Sequence, residues 1–167
     1  MRIENQSSPD LDTLGKLISG IKFAMMTTSE ANGSLRSRPM SCMQMDGDGC
    51  LWFFTSASSG KVEEALEDRH VNIAWSHPDK QDYVSVSGTA SIVRDKAKMQ
   101  SLWTPWIKPW FPDGLDDPDL VLRKVAIDEY EYWDAPGSAI KRGYGLAKAM
   151  LTGKTDALGE HGSGKLH

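Results

Sequence analysis

The chain has 167 residues, 40% of them apolar and 25% charged, and a formal net charge of −4. That length suits one domain with a core of its own, held without disulfides or metals. The acidic balance argues against a general binder of nucleic acid or of anionic membranes, both of which want a basic surface.

The opening MRIENQSSPD has no apolar stretch and no small-residue cleavage site, so no signal peptide is read there. No apolar run approaches the about 18 residues of a spanning helix. Two cysteines, Cys42 and Cys50, are too few for a disulfide framework and suit a reducing, cytoplasmic compartment. Charge is uneven: residues 140–167 hold five Lys or Arg against two Asp or Glu. A solvated basic tail is the usual cause, and contact with an anionic ligand or partner the rarer one.

In chain order, Leu11, Leu14, Leu17 and Ile18 recur at helical spacing over 10–19, with Asp10 as N-cap and Gly20 as the stop. Residues 21–28 read as a strand. Asn32-Gly33 is a hairpin signal, and residues 34–46 return as a second strand. Pro39 cannot donate to a ladder, so it marks an edge or a bulge. The turn Asp46-Gly47-Asp48-Gly49 leads to a third strand, 50–55. Ser58-Ser59-Gly60 then caps a helix with Val62, Ala65 and Leu66 on one face. Strands follow over 70–76 and 82–93, the second alternating Val84, Val86, Gly88, Ala90 and Ile92 with mostly serine and threonine. Residues 95–103 read as a helix and 104–118 as a proline-rich loop. Residues 120–133 form a sixth strand and 138–151 a last helix. Six strands with short helices between them predict a small antiparallel barrel, mainly β with peripheral helices. The domain spans 1–152, and 153–167 reads as a polar, flexible tail.

Metal chemistry finds no support: His70 and His77 are seven apart, His161 and His167 lie in the tail, and no His-x-x-x-His or Cys-x-x-Cys occurs. No Gly-x-Ser-x-Gly elbow is present for hydrolysis. Cys42 and Cys50 read as small core residues before they read as a redox pair. Anion binding is better supported. Arg36 and Arg38 leave one face of a strand, and Thr55-Ser56-Ala57-Ser58-Ser59-Gly60-Lys61 opens a helix whose N-terminus offers free N–H groups. Serines before a helix are more often only caps, and strand arginines more often only solvated. Trp103, Trp106 and Trp110 hold half of the six tryptophans within eight residues. They serve either core and interface packing or a wall for a flat ligand.

The segments LRSRPMSC, LWFFTSASSGK, DYVSVSGTASI, WFPDGLDDPDLVLRKV and EYEYWDAPGSA, in that order, resemble one family. It is the general stress protein branch of the pyridoxamine 5′-phosphate oxidase-like, FMN-binding split-barrel superfamily, and the match runs over residues 10–152. The resemblance implies a six-stranded antiparallel split β-barrel. It implies a homodimer with FMN, or FAD in its place, at the interface. Arg38 with Thr55, Ser59 and Lys61 would hold the flavin phosphate. Pro39, Met40 and Ser41, beside Phe54, would line the isoalloxazine edge, and Trp133 would reach the flavin of the other subunit. Two departures bear on activity. Gly60 stands where the oxidase has a first basic residue, and Trp133-Asp134-Ala135-Pro136 lacks the oxidase's substrate-gripping Arg-Leu-His-Asp-Arg-like run. The resemblance therefore implies flavin binding more strongly than pyridoxamine phosphate oxidation. A flavin-dependent oxidoreductase of unknown substrate leads, followed by a non-catalytic flavin store or sensor. A haem-binding split barrel and a cofactor-free interaction module come after.

Overall fold

A computed structural model of the chain describes residues 1–30, 32–58, 69–134 and 160–166. The helix expected after Ser59 and the one over 138–151 lie outside the described residues.

Helix α1, Pro9–Ser19, buries Leu11, Leu14 and Ile18. Its N-cap is Ser8, whose hydroxyl accepts the Leu11 amide at 3.2 Å, rather than Asp10. The reason is Pro9, whose fixed φ suits the first helical position and so moves the cap back two residues, to Ser8. Strands β2 (Ala24–Ser29) and β3 (Leu35–Met40) form the hairpin around Gly33, whose φ of 80° only glycine adopts freely. Strands β4 (Cys42–Met45), β5 (Cys50–Ser56), β6 (His70–His77), β7 (Asp82–Val93) and β8 (Leu120–Asp134) follow, with helix α2, Lys96–Leu102, before β8.

With a short β1, Arg2–Ile3, at one edge, the strand order is β1-β4-β5-β8-β7-β6-β2-β3. Strand β3 ends that order and β4 stands at its other side with only the two-residue β1 beyond it, yet only Ser41 separates the two in sequence. The sheet must therefore curl until its ends meet, and Ser41 is where the wall opens. Read as one strand broken at Ser41, β3–β4 closes a circuit of six with β5, β8, β7, β6 and β2. The six expected strands are these. The further strands are β1, Arg2–Ile3, parallel to β4, and β9, Glu160–Lys165, antiparallel to the second half of β8. So residues 160–165, expected in a flexible tail, pair with a strand.

Inside the barrel, Met26, Phe53, Ile73, Trp75, Val86, Val125 and Ile127 pack with Leu14 and Ile18 of α1. A second cluster, with Trp52, Phe54, Met99, Leu102 and Leu122, fills the space between β5 and the segment from α2 to β8. Strand β5 is thus covered on both faces, which is why CLWFFT is continuously apolar instead of alternating. Each such large side chain contributes about 1.5–3 kcal/mol of burial. A bulge interrupts the β7–β8 ladder at Ser87/Gly88, where β8 carries the extra residue Asp128, and a Cβ on Gly88 would strike the Ala126 carbonyl oxygen.

Candidate functional site

The break at Ser41 opens a cleft of about 230 Å³. One side is built by Pro39, Met40 and Ser41, where β3 gives way to β4, and by Phe54, Thr55 and Ser56 at the end of β5. Pro39 has no N–H for a ladder, and Ser41 belongs to neither ladder. The Ser41 hydroxyl donates to the Lys22 carbonyl at 3.1 Å, which brings Phe23 to the rim. The other side comes from the 104–118 loop: Trp106, Ile107, Trp110 and Phe111. That loop is not featureless. Pro105–Ile107 and Gly114–Asp116 are single 3₁₀ turns, and buried Ile107 pins the first of them. Phe54 is braced from behind, its ring edge-on to Trp103 at 5.8 Å and tilted against Phe111 at 6.5 Å.

Five of the nine residues singled out in the sequence meet in this cleft: Pro39, Met40, Ser41, Phe54 and Thr55. Ser59 and Lys61 lie outside the described residues. Arg38 does not line the cleft. It lies on the barrel-facing side of β3, where Nη1 donates to the Thr28 hydroxyl at 3.0 Å and Nη2 stands 3.8 Å from Glu30. Arg36 leaves the same face, and its Nε meets Glu30 at 2.6 Å. One carboxylate thus moderates both cations. Trp133, at the far end of β8, pairs in register with Tyr83 and stacks on His161 at 5.3 Å. It is 42% exposed and does not line the cleft of its own chain.

The serines after β5 have a partner that the sequence does not announce. Asp119 accepts the Ser56 hydroxyl, the Ser58 hydroxyl and the Ser58 amide. These bonds, Ser56 first, hold its carboxyl below the ordinary value. Ser56 and Ser58, read as donors for an anionic ligand, are engaged by an internal anion. The only early signal of Asp119 was its place in the acidic run Asp116-Asp117-Pro118-Asp119. Phe23, Met43 and Ile107 were also missed, since single apolar residues carry no functional mark.

Other candidates are structural. Cys42 and Cys50 are free and buried, and burial pushes the Cys42 thiol up to about 12. Such a thiol is inert near neutrality. His70 and His77 stand at the two ends of β6, and neither lines the cleft. Among the described residues, no cluster of side chains suits a metal ion, and no helix is long and apolar enough to cross a membrane.

The model of the pyridoxamine 5′-phosphate oxidase-like family matches residues 9–157. Protein bli-3 of Neurospora crassa is 31% identical over 154 residues, which cover 86% of this chain and 74% of that protein. The crystal structure of the general stress FMN/FAD binding protein from Xanthomonas citri is similar with a TM-score of 0.66 at 27% identity, over 78% of this chain and 93% of that one. A protein of Clostridium acetobutylicum related to general stress protein 26, of the pyridoxinephosphate oxidase family, gives a TM-score of 0.66 at 25% identity, over 74% and 87% of the two chains.

Proposed function

The chain belongs to the pyridoxamine 5′-phosphate oxidase-like family, in its general stress protein branch, and from that premise we propose that it binds FMN at the Ser41 cleft and acts as a flavin-dependent oxidoreductase. One observation carries this reading. Pro39, Met40 and Ser41 from one strand and Phe54 and Thr55 from another line a single cleft walled by aromatic rings. Those are residues that the resemblance assigns to flavin, and they lie more than a dozen positions apart in sequence.

In this reading Arg38, Thr55, Ser59 and Lys61 take the phosphate. Glu30 and Thr28 hold the Arg38 guanidinium in one place before any ligand arrives. Ser41, outside both ladders, offers backbone groups to the edge of a ring. Phe54, clamped by Trp103 and Phe111, gives that ring a rigid apolar neighbour. Bound flavin would supply the hydride or electron transfer, and the protein supplies position and electrostatics. Trp133 projects from the face that a second copy would cover, so the working unit is a homodimer with flavin at its interface. Two free cysteines suit a reducing compartment such as the cytoplasm.

A flavin store or sensor without turnover is the second reading. The cleft favours it in one respect: among the described residues its lining offers no proton donor stronger than a serine or threonine hydroxyl. The test is the visible spectrum of the purified protein, mass analysis of the released chromophore, and the rate of reduced nicotinamide oxidation. Flavin bands with turnover support the oxidoreductase, and flavin bands without turnover support the store. No flavin uptake on reconstitution would overturn both.

A further inference from the structure

Glu30 stands between the two arginines of β3. Its Oε1 meets Arg36 Nε at 2.6 Å and lies 3.8 Å from Arg38 Nη2. The β2–β3 turn fixes it there. The Ser34 hydroxyl donates to Glu30 Oε2 at 3.2 Å, the Glu30 amide donates to the Ser34 carbonyl, and the Glu30 carbonyl accepts the Gly33 amide. The side chains of Glu30 and Arg38 are 17% and 16% exposed, against 59% for Arg36. Water therefore screens the Glu30–Arg38 pair weakly, and an anion held by Arg38 feels the carboxylate as well. Arg38 leaves the same face of β3 as Met40, which lies about 7 Å further along the strand and lines the cleft. An anion on Arg38 thus sits beside both the cleft and a fixed negative charge.

Thr28 and Glu30 act on Arg38 in different ways. Thr28, 3% exposed, accepts Nη1 at 3.0 Å, a hydrogen bond that gives the guanidinium its direction. Glu30, 3.8 Å from Nη2, is beyond hydrogen-bond reach of it and contributes charge alone. A like charge next to a bound anion opposes it. We propose that Glu30 is the residue that limits affinity at Arg38, so that a phosphate monoester held there stays exchangeable, while Thr28 orients the guanidinium. The identity of that monoester as FMN rests on the flavin reading.

The test titrates apoprotein with FMN, with riboflavin, which lacks the phosphate, and with inorganic phosphate followed by NMR. Glu30→Gln keeps the shape and an acceptor for Ser34 and removes the charge. FMN is expected to bind Glu30→Gln at least about tenfold tighter than the native protein and to leave it more slowly, with riboflavin changed by less than about twofold. Thr28→Val should move FMN the other way, to about tenfold weaker binding. Glu30→Ala, which also removes the charge, carries the same comparison if Glu30→Gln does not fold. FMN binding that is unchanged in Glu30→Gln, or weakened as in Thr28→Val, overturns the proposal and leaves the flavin reading in place, since a Glu30 that only positions Arg38 would lower both. A gain shared equally by riboflavin overturns it too, because the effect then does not act on the phosphate. If neither protein takes up flavin, yet inorganic phosphate binds Glu30→Gln more tightly, the flavin reading fails and the role of Glu30 stands. If phosphate does not distinguish them either, both fail.

Discussion

Asp119 and Ser58 are joined twice: the Ser58 amide donates to Oδ1 at 2.6 Å and its hydroxyl to Oδ2 at 2.7 Å. With the Ser56 hydroxyl, these bonds tie the exit of β5 to the entrance of β8. Asp119 therefore fixes the course of the chain from Ser56 to Ser58, just ahead of the segment that holds Ser59 and Lys61. Replacing it with alanine should weaken FMN by about tenfold, because the ligand must then order that segment itself. Its carboxyl is held below the ordinary value of 3.8, so the tie is complete above that value and is lost as pH falls through the lowered one. Acidification should release flavin from the native protein over that range, and less steeply from Asp119→Asn. Fluorescence titration at several pH values reads both effects, and an unchanged affinity in Asp119→Ala would mean that residues 56–58 keep their course alone.

Asp46 organises a different network, none of whose members lines the cleft. It accepts Trp52 Nε1 at 2.6 Å, Gln44 Nε2 at 2.5 Å and Lys98 Nζ at 3.1 Å. Burial pushes its carboxyl up, but Trp52, Gln44 and Lys98 together outweigh burial and lower it. Asp46→Ala strands the buried Trp52 donor and should cost about 2–4 kcal/mol in urea unfolding. Flavin affinity in the folded variant should not change.

Lys61→Ala should weaken FMN about tenfold to a hundredfold, since a charge-assisted contact is worth about 1.5–3 kcal/mol. Arg38→Ala should do the same, and it also leaves Glu30 with one cation fewer. Equilibrium titration of apoprotein with FMN measures each. Native affinity in both folded variants would remove the phosphate from this place.

The outer face of the sheet carries Met25, Leu35, Tyr83 and Trp133, all at least 42% exposed, among the small residues Thr27, Asn72, Ala74, Ser85 and Ser87. Glu129 and Glu131 stand opposite Ser87 and Ser85 on the same face, and large apolar groups scattered among polar ones suit a two-fold contact. Sedimentation should give the mass of two chains, and Met25→Lys should shift it toward one. A concentration-independent monomer with flavin bound would contradict the dimer.

Pyridoxine 5′-phosphate should be a poor substrate even with FMN bound. A phosphorylated substrate needs its own cationic clamp, and among the described residues no charged side chain lines the cleft. Lacking two or three charge-assisted contacts of about 1.5–3 kcal/mol each costs several powers of ten in kcat/KM. Pyridoxal phosphate production by flavin-loaded protein is the measurement, and ordinary turnover would restore the oxidase function.

Local chemistry was legible in the sequence. Strand β7 occupies 82–93 as its alternation predicts, and the Asn32-Gly33 hairpin forms. Period and turn preference act within a few residues, so no distant part of the chain can hide them. The aromatic excess over 103–111 was visible as well, though not which side of it faces a cleft. Tertiary structure decided what depends on residues far apart. Ser56 and Ser58 look like free donors until Asp119, 61 positions beyond Ser58, takes them. Arg38 looks like a free cation until the hairpin sets Thr28 and Glu30 beside it. Ser41 is an ordinary residue until the barrel closes around it, because an opening exists only where two ends of a sheet meet.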